Sequence, residues 1–268
     1  MMRSLAGIIA LMALLAIAPG IGLADETRLS GLRSTIAESC DVPTFNYWVS
    51  MGLDPDTTAN GGTLLIAAIT CGGANVRRAD DATKCADISK RRGEMVRAVL
   101  RAGANPNQAN DDGYTPIMEA LLYDCTEDAI RELLIGRANP MLSESEYHTT
   151  ALDIAMQTDV VPIYLEQLLG DIDENTPLTI SGLPPVLDIA LQYNACGEGQ
   201  GYNTEKFKLL LQAGARKDVK APADYSSFSN IAYAGLNLEQ ILKRRIDQQD
   251  PPYKDIQDCL GQMLAALS

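Results

Sequence analysis

Histidine is almost missing from this chain, which has one, His148, among its 268 residues. A Ser-His-Asp or Cys-His catalytic site would have to rest wholly on that imidazole, and a zinc site would have one nitrogen ligand to draw on. Positive charge is scarce too, 22 Lys and Arg against 35 Asp and Glu. A surface of that sign cannot neutralise phosphates, so nucleic acid is not an expected partner. Beyond Ala24 no apolar run approaches the roughly 20 residues that cross a bilayer, so a soluble mature protein is expected. The residue immediately after that position is Asp25, not a cysteine that could carry a lipid.

What is present begins with a leader-like segment. Met1-Met2-Arg3 is a short basic start, Leu5 to Ile17 is apolar, and Gly22-Leu23-Ala24 supplies small residues, the pattern of a cleaved secretory signal over 1–24. An uncleaved anchor is the rival reading. Removing that segment takes away one charged residue, Arg3, and leaves 21 basic against 35 acidic groups, a net charge of −14. The remaining 25–268, in a chain with 46% apolar residues, is long enough for a sizeable core and is read as a single domain. Six cysteines follow the leader, an even count that favours disulfides in an oxidising compartment, the periplasm or the exterior.

The stretch RAGANPNQANDDGYTPIMEALL, Arg101 to Leu122, holds no obvious catalytic group but is dense in punctuation. Gly103 ends an apolar helical run, Asn105-Pro106 and Asp112-Gly113 signal turns, and Thr115-Pro116 opens a new helix. The pattern recurs. Gly113-Tyr114-Thr115-Pro116-Ile117-Met118-Glu119-Ala120 has partial copies from Gly61 to Ala68, from Thr150 to Ala155 and from Pro185 to Ala190, and positions 115, 150 and 185 are spaced by 35 and 35. Two large apolar residues before a glycine turn appear at Trp48-Val49 with Gly52, Val99-Leu100 with Gly103, and Leu210-Leu211 with Gly214. Together these residues resemble the ankyrin repeat, a turn and two antiparallel helices with a T-P-L-H-x-A start. The resemblance covers about Pro43 to Ala215. It implies an all-α, ankyrin-like solenoid of five to six helix-turn-helix repeats with helical caps, whose core runs continuously from unit to unit.

The departures are informative. Ile66, Met118, Asp153 and Asp188 stand where the family has its histidine, so the hydrogen bonds between neighbouring turns are lost or rebuilt. Arg137 stands where Gly103 and Gly214 supply left-handed geometry, implying strain or a shifted turn. Insertions are expected at about 72–92 and 195–203, and the turn Gly170-Asp171-Ile172-Asp173 fits poorly. Leu29 to Ser39 reads as an opening helix; Leu238 to Ile246 and Tyr253 to Leu267 read as a closing pair. The run Lys243-Arg244-Arg245 suits the polar outer face of a terminal unit.

By repeat phase, Cys40, Cys71, Cys125 and Cys196 fall near the turn between the two helices of their units. Two bridges among Cys40, Cys71, Cys85 and Cys125 are expected, with a third joining Cys196 to Cys259; reduced, buried cysteines are the alternative. Asp171-Ile172-Asp173-Glu174-Asn175 imitates the start of a calcium loop but has Thr176 where glycine is needed and Gly182 where a bidentate Glu is needed. Gly197-Glu198-Gly199-Gln200-Gly201 follows a helix rather than a strand and is no phosphate cradle. His148 occupies a surface turn. No catalytic residue, metal or cofactor is expected.

From Ala138 to Thr204 there is no Lys or Arg against ten acidic residues, while Arg77 to Arg101 holds eight basic and four acidic ones. Resemblance implies a non-enzymatic protein-binding module, and the charge selects a partner with a basic surface. Mapping the repeat phase puts Asp111, Asp112, Tyr114, Leu122, Tyr123, Glu146, Tyr147, Thr149, Gln157 and Tyr193 on its contact face, with Thr158, Ser181, Gly182, Pro184 and Gln192 beside them. A scaffold or stabilising partner of another protein is the first role; an inhibitor or immunity protein against a delivered toxin is the second. A carboxylate-dependent hydrolase is the remote alternative.

Overall fold

The repeated threonines and prolines start helices for two local reasons. A threonine hydroxyl accepts a backbone N–H that the first turn leaves unpaired, and a proline at the first position has no N–H to leave. The computed structural model describes residues 31, 36, 39–59, 61–73, 81–157, 160–179, 181–192, 196, 202–223, 233–248 and 254–268. The opening helix expected over 29–39 and the second insertion fall mostly outside them.

Helix α1 (Val42–Ser50) is capped by Asp41, whose carboxylate accepts from the Thr44 amide at 3.2 Å and its hydroxyl at 2.6 Å. The first unit opens with a two-stranded antiparallel hairpin, β1 (Thr58–Ala59) and β2 (Gly62–Thr63), in register Thr58 with Thr63. Thr63 caps α2 (Leu64–Ile69), buried along its whole length, and α3 (Ala82–Arg101) returns alongside it. The segment read as an insertion therefore contributes its second half, from Ala82, to a 20-residue helix. Three more pairs follow: α4 (Pro116–Leu122) with α5 (Glu127–Ile135), α6 (Ala151–Ala155) with α7 (Pro162–Leu168), and α8 (Pro185–Leu191) with α9 (Asn203–Ala213). Helices α10 (Leu238–Asp247) and α11 (Lys254–Ala265) close the array. One apolar cluster runs from Ile36 through Met118, Leu165 and Leu187 to Met263, so the core is continuous along the stack.

The second helices other than α7 end alike. Gly52, Gly103 and Gly214 are left-handed, and the next residue's N–H closes on the carbonyl five back, as Ala104 does on Val99 at 3.3 Å and Ala215 on Leu210 at 2.9 Å. Arg137 keeps this turn unshifted: Ala138 donates to Leu133 at 2.9 Å, and the arginine backbone takes φ 66 to allow it. After α7, Gly170 is not left-handed and Asp171 donates instead to Leu168 at 2.9 Å, so the Gly170–Asp173 turn departs from the pattern. After these turns an Asx ladder runs from unit to unit. Asp56 Oδ1 accepts from the Asn105 amide at 2.6 Å, Asn107 Oδ1 from Asn139 at 2.7 Å, and Asn175 Oδ1 from Arg216 at 2.9 Å. In the third unit Met141 stands in that place with no oxygen to offer.

Three disulfides tie the fold: Cys40 to Cys71, Cys85 to Cys125, and Cys196 to Cys259. Disulfides persist where the surroundings are oxidising. Among the described residues no helix is long and apolar enough to cross a membrane.

Candidate interaction face

The turns that precede the first helices lie side by side. The Asp111 amide donates to the Gly61 carbonyl at 3.1 Å, and a Cβ on Gly113 would come within 3.3 Å of the Ser145 nitrogen. Asn110 builds the second turn, its Oδ1 accepting from Asp112 at 3.1 Å and Tyr114 at 2.8 Å while its amide donates to Glu119 at 2.6 Å. Asp111 and Asp112 are left exposed at its tip. Tyr114 is half-buried against the core.

The third turn is wrapped around one carboxylate. Glu144, 2% exposed, accepts the backbone N–H groups of Glu146, Tyr147 and Thr149. Burial works against its charged form, but those three donors outweigh it and hold the carboxyl below its usual range. Glu146 and His148 are exposed, and Tyr147 is 70% exposed, the ring thrust into solvent by a loop with its own internal scaffold. The Tyr147 hydroxyl bonds the Glu146 side chain, which raises its pKa. Thr149 is buried and shapes this loop rather than presenting a side chain.

Along the first helices, Leu122 is 49% exposed, Tyr123 half-buried and Gln157 exposed. Burial raises the Tyr123 hydroxyl. In the fourth turn Ser181 and Gly182 are exposed while Pro184 and Gln192 are half-buried. Tyr193 and Thr158 lie outside the described residues.

The missing histidine is rebuilt with the opposite polarity in the third unit. Asp153 accepts from the Thr150 amide at 2.8 Å, as the family position would serve its own turn, and from the Thr179 amide at 2.8 Å and hydroxyl at 2.7 Å in the next turn. Asp188, one unit on, is buried enough to raise its carboxyl, against hydrogen bonds from Ser181 and Gln192 that lower it. In the second unit Met118 leaves the Thr115 amide a sulfur at 3.5 Å.

Other candidate chemistry resolves into structure. The oxygens of the calcium-like segment face local amides, Asp173 Oδ1 accepting from Asn175 at 2.9 Å. Among the described residues no three His, Cys, Asp or Glu are grouped to hold a metal. The basic run near the C-terminus divides: Arg245 is buried and donates to the Ala190 carbonyl at 2.8 Å, while Lys243 pairs with Glu239 at 2.5 Å. Reading all three as outer-face polarity missed the burial of Arg245. Also unforeseen was Tyr164, 2% exposed, whose hydroxyl donates to the Tyr123 carbonyl at 3.1 Å and accepts from the Thr126 amide at 3.3 Å.

No family profile matches the chain. It is 31% identical over 100 residues to the ankyrin repeat protein FPV031 of fowlpox virus (strain NVSL), a match that covers 36% of this chain and 27% of that relative's length. Its fold superposes on the crystal structure of EF0377, an ankyrin repeat protein, with a TM-score of 0.55 over 87% of this chain and 98% of that one, at 18% identity. The chain has the ankyrin-repeat fold. Its ankyrin units thus present a row of stacked turns, with Asp111, Asp112, Glu146 and Tyr147 at the exposed tips, Leu122 exposed at the end of α4 and Gln157 exposed just past α6.

Proposed function

We propose that this chain is a non-enzymatic binding module of an oxidising compartment, periplasmic or secreted, that grips a protein partner with a basic surface. The contact stripe is Asp111, Asp112, Tyr114, Leu122, Tyr123, Glu146, Tyr147, Gln157 and Tyr193, with Thr149 beneath it. The observation that carries the reading is the Glu144-wrapped turn. A buried carboxylate is spent on fixing a loop whose most prominent product is an exposed tyrosine ring beside Glu146. A rigid, flat ring with a polar tip gives large contact area at low entropy cost. Around it, 138–204 holds ten acidic residues and no Lys or Arg, and of these Glu146, Glu166, Asp171 and Asp173 are exposed.

A scaffold or stabilising role toward a resident protein follows most directly; occlusion of a toxin entering the compartment uses the same face. Once a partner is in hand, Tyr147→Ala should weaken it about 30-fold or more with thermal unfolding unchanged. Neutralising Asp111, Asp112 and Glu146 together should slow association and flatten its salt dependence. Unchanged affinity with Tyr147→Ala and a salt-independent rate would refute the face.

A further inference from the structure

Arg92 is completely buried, and its hydrogen bonds run to four backbone carbonyls rather than to a carboxylate. Nε donates to Cys71 at 3.1 Å, Nη2 to Gly73 at 2.8 Å, and Nη1 to Asp124 at 2.6 Å and Cys125 at 3.2 Å. Cys71 and Gly73 follow α2, and Asp124 and Cys125 follow α4. One guanidinium therefore collects carbonyls of the turns that follow the first helices of two consecutive units. Burying a cation is costly, and this socket is what offsets it.

The socket is closed by covalent bonds. Two of its four carbonyls belong to bridged cysteines, Cys71 to Cys40 and Cys125 to Cys85. Cys40 and Cys125 sit at φ 50 and 62, left-handed conformations that a non-glycine residue keeps only when its surroundings impose them. Helix α3 depends on the same lock. Gly93 lies against Asp128, and Arg97 binds Glu132 through two contacts of 2.9 and 2.6 Å, so the start of α5 at Glu127 is level with Arg92. The ten residues from Ala82 to Arg91 then project about 15 Å further at 1.5 Å per residue. They are tied by the Cys85 bridge, by Ile88 packed with it, and by Arg91 donating to the Ser39 carbonyl at 2.8 Å.

We propose that the N-terminal end of the array is a redox-conditional latch: Arg92 stays in its carbonyl socket only while Cys40–Cys71 and Cys85–Cys125 are oxidised, and their reduction releases α1 to α3 while the units from α6 onward keep their fold. Of the cysteines in these two bridges, only Cys40 is half-buried, whereas Cys71 and Cys125 are fully buried and Cys85 is 2% exposed, so attack on them starts at Cys40. A thiolate of a dithiol reductant displaces Cys71 from the Cys40 sulfur, and the Cys71 thiolate takes up a proton. The reductant's second thiol then displaces Cys40, also protonated; the protein bridge has gained two electrons and two protons, and the reductant has become a disulfide. Freed of its bridge, the Cys71–Gly73 segment no longer holds its carbonyls on Arg92. Water enters, the cation leaves, and the Cys85 bridge becomes accessible. Cys196–Cys259 lies at the other end, where it ties α11 to the residues before α9; Cys259 is half-buried as Cys40 is, but its reduction frees no group of the Arg92 socket.

The test is a reduction titration of the full oxidised chain in dithiothreitol buffers of graded poise, with maleimide mapping of free thiols and amide hydrogen exchange read by peptide. Cys40 and Cys71 should be labelled before Cys85 and Cys125, and protection over α2 and α3 should fall roughly tenfold or more with them while α8 to α10 stay protected. In the oxidised state, Arg92→Met and the pair Cys40→Ser with Cys71→Ser should each loosen those same peptides, and their combination should loosen them no more than the stronger alone. Should the cysteine pair fail to fold, the wild-type titration decides by itself. Full protection of α2 and α3 with both bridges reduced, loss spread evenly to α10, or strictly additive variants would each overturn the latch.

Discussion

At Arg137 the chain accepts left-handed backbone, φ 66, to keep a turn that glycine supplies at 103 and 214. The side chain is exposed, so nothing in the core depends on it. Arg137→Gly should therefore raise stability by about 1 kcal/mol, read from denaturant midpoints at unchanged slope; a loss would mean the arginine head makes a contact worth more than the backbone strain. Asp188 carries the opposite lesson, a side chain at odds with its site. Burial raises its carboxyl above the ordinary value, so the folded state holds that proton more tightly than the unfolded chain does. Its contribution is fully present below the unfolded pKa and is lost as pH rises through the folded one. Asp188→Asn, which keeps an oxygen for the Ser181 hydroxyl, should raise the melting temperature at pH 7 and change it little near pH 3. An equal effect at both values would show that charge is not the issue. Glu144, held below its usual range by three backbone donors, works in the other sense and loses its contribution as pH falls through its folded pKa.

Between elements, polar groups do work that apolar packing cannot. The ends of α2, α4, α6 and α8 are met by polar side chains from other helices: Arg92 at Cys71 and Asp124, Tyr164 at Tyr123, Lys206 at Gln157, and Arg245 at Ala190. Composition alone hides this, since Arg92 sits in the run Lys90-Arg91-Arg92 and Arg245 in Lys243-Arg244-Arg245. Phase reveals it. Arg92 follows Cys85 and Ile88 and precedes Met95, Val96 and Val99 on one helical face, and Arg245 follows Leu238, Ile241 and Leu242 at the same spacing. The turn and helix boundaries were legible because Thr-Pro, Asx and glycine act locally. The acceptors of the buried cations were not, because they lie 19 to 33 residues away for Arg92 and 55 for Arg245. The Asx ladder makes a prediction at this scale. Met141→Asn should supply the missing bridge to the linker of the next unit, raise stability by about 0.5–1 kcal/mol and slow amide exchange at 171–175. No change in exchange there would mean the linkers of these two units are not in register.

Over the whole molecule, charge and covalent ties divide along the array. The N-terminal end carries two bridges and the basic helix α3, and the stretch 138–204 is purely acidic. Repeat spacing in the sequence exposed the solenoid, because each unit must solve the same stacking problem with the same residues. It did not separate exposed from half-buried positions within a turn: Thr149 and Tyr147 are two residues apart, yet one is 9% and the other 70% exposed, a difference set by the Glu144 side chain folding beneath the loop. The contact face is the central claim, and site-specific photo-crosslinking tests it most directly. With a photoreactive residue placed singly at 112, 122, 147 and 157 on the turn and first-helix side, and at 101, 131, 163 and 208 on second helices, the partner should be captured from the first set. Capture concentrated at the second set would place the interface on the opposite side and contradict the account.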